Sequence, residues 1–109
     1  MRVIEKTIPS PSLNLWYAAR NASNVMRLAG QYAEAERYAR ESVAVAEANH
    51  LEDSRAANSW ESLGRALHEE KKYAEAGLAL KKAQAIYGKG GASSDWKVKE
   101  LQALIVSGQ

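Results

Sequence analysis

Two sets of polar side chains recur at helical spacing in this 109-residue chain. Tyr17, Arg20, Asn24 and Arg27 advance by three or four residues, and so do Asn58, Glu61, Arg65 and His68. Residues at that interval share one face of a helix. Each member of the first set meets a member of the second 41 residues later, so the two stripes are equivalent positions of a duplicated unit. Arg can grip a carboxylate with two parallel N–H groups, and Asn both donates and accepts, so the chemistry on offer is non-covalent recognition. Catalysis is not expected. No cysteine is present as a thiol nucleophile or thiolate ligand, and no set of nucleophile, base and oxyanion donors can be assembled. His50 and His68 have no second His or carboxylate at a metal-ligand spacing on their own helix face, and they read as surface imidazoles without a metal. Gly88 to Gly91 lacks the Lys-Ser or Lys-Thr of a phosphate loop and reads as a helix stop. No cofactor is expected.

The elements that must position these stripes are marked by a tetrapeptide. Tyr-Ala-Glu-Ala occurs at Tyr32 to Ala35 and again at Tyr73 to Ala76, each time between stretches of helical apolar period. A fixed period of this size implies a supersecondary unit whose copies stack to bury a shared core. The second copy runs Trp60, Leu63, Gly64, Leu67, Tyr73, Ala76, Leu80 and Ala83. Shifting by 41 residues gives Ala19, Ala22, Ser23, Met26, Tyr32, Ala35, Ala39 and Ser42, with smaller residues in place of Trp and Leu-Gly. In the second copy the order Trp, two residues, Leu-Gly, two residues, then a large residue, and later Ala, three residues and another large residue, resembles the tetratricopeptide repeat. The period exceeds the usual 34 or so and is similar to the extended repeats of kinesin light chains and some bacterial transcription regulators. The resemblance covers about two thirds of the chain.

Independently of any family, antiparallel helices need small side chains where they cross if their axes are to approach to about 8–10 Å. Gly64, Ala76 and Ala83 supply them. A mid-helix Gly costs about 1 kcal/mol relative to Ala, so Gly64, between Leu63 and Leu67, implies a close neighbour.

The fold expected is all-α: a right-handed array of two helical hairpins with a C-terminal capping helix, in one domain. Residues 1–11 read as an extended arm, since Pro9 and Pro11 oppose a helix. The first repeat spans about 12–49, with helices from near Ser10 or Ser12 to about Gly30 and from Tyr32 to Ala48. The second spans about 53–89, its helices opening at Glu52 or Asp53, turning at Lys71-Lys72 and ending near Tyr87. There Gly88 to Gly91 would allow left-handed backbone. The capping helix covers about 94–107, capped by Ser93 or Ser94, and buries Trp96, Leu101, Leu104 and Ile105. Its register against the repeats stays open.

The resemblance implies that the first helix of each hairpin lines a concave groove holding an extended peptide or a partner helix. That carries Tyr17, Arg20, Asn24 and Arg27 onto the groove, with Asn58, Glu61, Arg65 and His68 in the neighbouring row. It also likens Arg20 and Asn24 to a clamp for a C-terminal carboxylate, with Ser62 where a second Asn would help and Lys97 or Lys99 completing it. Leu13, Trp16 and Tyr17 fall on the same face as the first stripe, opposite Ala22, Met26 and Ala29, which are read as core. Trp16 and Tyr17 are thus either an aromatic anchor for a partner or internal packing against Val3, Ile4 and Ile8 or a second copy.

Fifteen basic and thirteen acidic residues leave a net charge of +2, interspersed in pairs such as Glu36 with Arg40 and Arg37 with Glu41. This near balance argues against a nucleic-acid surface. No apolar run approaches the 18 or more residues of a membrane span, and the first twelve residues lack the apolar stretch of a secretory signal. The expected function is a cytoplasmic adaptor binding a protein or peptide segment in the groove. The alternative is a self-association module forming a homodimer without a peptide ligand.

Overall fold

Alanine-rich segments separated by Ala-Gly-Gln, Asn-His-Leu and Glu-Lys-Lys turns have few options besides helix. The computed structural model describes residues 13–90 and 94–108, and the regular structure among them is helical throughout: α1 (Leu13–Leu28), α2 (Tyr32–Ala48), α3 (Ser54–Glu69), α4 (Tyr73–Gly88) and α5 (Asp95–Ser107). The expected arm and the expected helix start at Ser10 or Ser12 lie outside the described residues, as do Gly91 and Ser93. None of the described helices is long and apolar enough to cross a membrane.

The turns show the duplication at backbone level. Gly30 and Lys71, 41 residues apart, both take left-handed geometry, with φ of 83° and 65°. At the first, Gln31 N–H donates to the Met26 carbonyl (2.8 Å) and Gly30 N–H to Arg27 (3.1 Å). At the second, Lys72 donates to Leu67 and Lys71 to His68, both at 2.9 Å. This paired closure satisfies the last carbonyls of a helix and reverses the chain. His50 (φ 56°) does the same after α2. The expectation of left-handed glycines after α4 fails among the described residues. Lys89 remains right-handed, and the N–H groups of Lys89 and Gly90 fold back to Ile86 and Tyr87 (3.1 and 2.9 Å), closing the helix by tightening its last turn. Asp53 caps α3 as expected, accepting from the Arg55 N–H at 2.9 Å. Ser94 makes no side-chain cap, because its ψ of 3° departs from the extended geometry a capping hydroxyl requires.

Each helix packs on the next in sequence, and α1 also packs on α3. At the α3–α4 crossing a methyl added to Gly64 would come within 2.5 Å of Leu80 Cδ2 and 3.3 Å of the Leu80 backbone nitrogen. The expected close neighbour is therefore Leu80. Ala76 and Ala83 are buried beside it, and the equivalent Ala35 and Ser42 are buried in the first hairpin. One cluster joins Ala39 and Val43 of α2 to Leu63, Leu67, Ala76 and Ala79; a second joins Ala57, Leu80, Ala83 and Tyr87 to Leu101 and Ile105 of α5. Leu101 and Ile105 thus meet the capping expectation and Leu104 is half-buried, but Trp96 is exposed.

The inner face of α1 differs from the expected one. Trp16, Ala19 and Ser23 are buried, whereas Ala22 and Met26 are half-buried and Ala29 is exposed. Leu63 and Leu67, the counterparts of Ala22 and Met26, are buried because α2 precedes α3 and covers that side; α1 has no helix before it among the described residues. Arg37 pairs with Glu34 (2.7 Å), and Arg40 with Glu36 (2.6 Å) as expected. The acid precedes the base in both pairs, the favourable order on a helix, which the expected pairing of Arg37 with Glu41 would have reversed.

Where α2 meets the end of α3, Lys72 Nζ reaches Glu36 at 3.1 Å and Glu70 at 3.8 Å, so two carboxylates face one ammonium. Burial and the neighbouring Glu36 push the Glu70 carboxyl up to about 6. The proton retained on Glu70 holds Glu36 below the carboxylate range against the opposing effect of burial, with help from Arg40 and Lys72. Glu70 therefore contributes stability that is full below the unfolded value of 4.5 and is lost as pH rises through about 6. Glu70→Gln supplies a permanent donor to Glu36 and should stabilise by about 1–2 kcal/mol at pH 7.5. Urea titrations should show the gain vanish below pH 4.5; an equal gain at both pH values would contradict the shared proton. Gly64→Leu should cost roughly 1–3 kcal/mol by overpacking Leu80, measurable as a lowered denaturation midpoint.

Candidate functional site

The backbone of α1 and α3 brings both sequence stripes to one side, and α5 closes its margin. Arg20, Asn24 and Arg27 from α1, Asn58, Glu61, Ser62 and Arg65 from α3, and Lys97 from α5 line a polar pocket of about 180 Å³. Six of the nine expected groove residues meet there. Ser62 and Lys97, expected only as supports of the carboxylate clamp, line it as well. Lys99 does not take part: it pairs on the surface with Asp95 at 3.3 Å.

Glu61 organises the pocket. It is 8% exposed, and its carboxylate accepts from Arg65 (2.8 Å), Lys97 (3.0 Å) and the Tyr87 hydroxyl (2.9 Å). Burial alone would raise its pKa, but these three donors outweigh it and hold the group below the usual carboxylate range. The Tyr87 hydroxyl shifts upward, through burial and then the adjacent negative charge. Its oxygen also lies 2.5 Å from Asn58 Oδ1. Glu100 holds the outer edge, 3.4 Å from Arg65 and 3.3 Å from Lys97.

The remaining cations are differently placed. Arg20 and Arg27 meet no carboxylate among the described residues, and the Nε of each is enclosed without a hydrogen-bond partner. Arg20 donates through Nη2 to Asn21 Oδ1 at 3.1 Å and lies 5.4 Å from the ring centres of both Trp16 and Tyr17. Ser62 Oγ donates to Asn24 Oδ1 at 3.3 Å. Four cations thus surround two carboxylates, and the surplus sits on the α1 side. An anion entering there would meet guanidinium groups already partly stripped of water, where attraction is stronger than in bulk solvent.

Trp16 does not line the pocket, which corrects its reading as a groove residue. It is 7% exposed and packs with Val45 and Ala46 of α2 and with Leu51, while its indole N–H donates to Ser59 Oγ at 2.6 Å. Ser59 also bonds Ser42 Oγ at 2.7 Å, so one buried polar chain ties α1, α2 and α3. Tyr17, by contrast, is 56% exposed beside Arg20. His68 is separate from the pocket: it sits near the end of α3 against Ser107 Oγ (3.1 Å) and the Tyr73 ring (5.1 Å). Tyr87 and Glu100 were missed by sequence reasoning. Tyr87 lies on the α4 face of Ala76, Leu80 and Ala83, a period that marks it as inward-facing, whereas Glu100 carries no comparable signal.

No group of three or more His, Cys, Asp or Glu among the described residues could hold a metal. Comparison with protein-family models, with curated proteins and with solved structures returned no match.

The two neighbouring aromatics should respond oppositely to truncation. Trp16→Ala should cost about 3–5 kcal/mol through cavity formation and the lost hydrogen bond to Ser59, and Tyr17→Ala should stay within about 0.5 kcal/mol of the parent, both read by urea unfolding.

Proposed function

We propose that this chain is a tetratricopeptide-like adaptor that holds a segment of a partner protein against the face formed by α1, α3 and α5. An anionic group of that segment would be seated between Arg20 and Arg27. The single observation that carries the reading is the pocket's unmatched pair of guanidinium groups, whose Nε atoms are enclosed without acceptors while every carboxylate nearby is engaged with Arg65 and Lys97. The partner's C-terminal carboxylate suits this arrangement. It fits two planar donors, with Asn24, Ser62 and Lys97 within the same small pocket to fix its orientation. Tyr17 supplies an exposed ring at the margin for an apolar side chain next to the anion. The duplicated turns and the small-residue crossings support a helical-hairpin array as the frame. The reading assigns the protein no catalytic step and no cofactor. It assigns the cytoplasm as its compartment, since a chain without cysteine needs no oxidising environment for its fold.

The test is an array of synthetic peptides ending in acidic or apolar residues, each made with a free and with an amidated C-terminus. Free acids should bind and amides should not. Arg20→Glu should reduce binding by about tenfold or more, Tyr17→Ala by less, with circular dichroism unchanged in both. Equal binding of free and amidated peptides, or binding indifferent to Arg20→Glu, would count against the pocket.

A further inference from the structure

At the start of α5 a large ring stands in water beside the pocket. Trp96 is 64% exposed, and its ring centre lies 5.0 Å from the Lys97 ammonium, which lines the pocket and donates to Glu61. Spacing places this indole on the pocket's own side of the helix. Trp96, Glu100, Ala103 and Ser107 follow one another at intervals of three and four residues, so they form one stripe. Two members of the stripe touch the polar stripe of α3: Glu100 reaches Arg65 at 3.4 Å, and Ser107 Oγ lies 3.1 Å from His68 Nε2. The α5 face is therefore continuous with that of α3, and Trp96 is its leading end.

The opposite margin is built in the same way. On α1 the exposed ring is Tyr17, with the Arg20 guanidinium 5.4 Å from its centre. On α3, the helix that both margins reach, the position equivalent to Tyr17 is Asn58, a short side chain turned to the Tyr87 hydroxyl. Two rings thus rise over a low polar floor, each beside a cation of the pocket. The surplus positive charge at Arg20 and Arg27 favours an anionic segment and repels a basic one, while an indole in water gains most when an apolar side chain covers it. We infer that Trp96 is a second anchor of the same site, an inference that rests on the carboxylate reading given above. A partner segment whose C-terminal carboxylate sits at Arg20 and Arg27 runs back across α3 and lays an apolar side chain on the indole. From α1 to α5 there are two steps of about 8–10 Å, and extended chain rises about 3.3 Å per residue. The anchored side chain therefore lies about five or six residues before the carboxylate.

The probes are acetylated serine-alanine octapeptides in which one phenylalanine is walked back from the C-terminus, each made as free acid and as amide, with binding read by NMR titration. Among the free acids, phenylalanine about five or six residues before the carboxylate should tighten binding about threefold to tenfold over the peptide without it. Trp96→Ala should erase that gain and Trp96→Phe should keep most of it, with circular dichroism unchanged in both. A serine-alanine tetrapeptide acid is too short to reach α5, so Trp96→Ala should leave its binding as in the parent. Octapeptide acids that bind through Arg20 but show no phenylalanine gain, or a gain indifferent to Trp96→Ala, overturn the second anchor and leave the carboxylate reading standing. Equal loss for tetrapeptide and octapeptide in Trp96→Ala overturns it too, because the indole would then act only by supporting α5. Acids and amides that bind equally, or no binding by any peptide, remove both.

Discussion

Two helices can approach closely only where one of them presents a methyl or less, and this constraint governs the fold. Gly64 against Leu80 is its tightest instance, and Ala35, Ala76 and Ala83 repeat it along both hairpins. A core walled by alanine buries modest apolar area per residue, so the few large side chains are decisive. Leu63, Leu67, Leu80 and Leu101 fill the spaces between helix pairs. Trp16 fills the equivalent space at the first junction, with its N–H matched to the buried Ser59.

The pocket follows from the same geometry. Because α1 packs on α3, their polar stripes share one surface, and α5 adds Lys97 across from Glu61 at 3.0 Å. Glu61 is costly to bury alone, but three donors satisfy it, and in doing so they commit Arg65 and Lys97 to an internal network. The cations left without a carboxylate among the described residues stand on α1. Local pairing on α3 and α5 thus decides which of the four stay uncommitted.

Much of this was legible in the sequence, for identifiable reasons. The Tyr-Ala-Glu-Ala repeat and the turns beside it located α2 and α4 closely, and Gly64 announced a close neighbour because glycine inside a helix is otherwise unfavourable. The two polar stripes were legible because their spacing survives duplication. The inner face of α1 was not. Ala22 and Met26 inherited a core reading from Leu63 and Leu67, yet burial at those positions depends on a preceding helix, which periodicity cannot report. Trp16 has Ala57 as its counterpart 41 residues on, and a methyl at that position gives little sign of being fully buried. The register of α5 also escaped, since Lys97 meets Glu61 at a separation of 36 residues rather than 41. The backbone after α4 was misread because glycine permits left-handed geometry without requiring it.

Each structural unit of this chain carries one of its three tryptophans, and their surroundings form a gradient. Trp16 is enclosed and hydrogen-bonded in the first hairpin. Trp60 is half-buried under the Lys82 ammonium, 4.6 Å from its ring centre, in the second. Trp96 stands largely in water at the start of α5. Indole emission shifts to longer wavelength with hydration, so the native fluorescence spectrum is a sum of three separable colours. Replacing two of the indoles at a time leaves a label-free optical reporter for the hairpin or helix that remains, by which the order of undocking can be followed in real time.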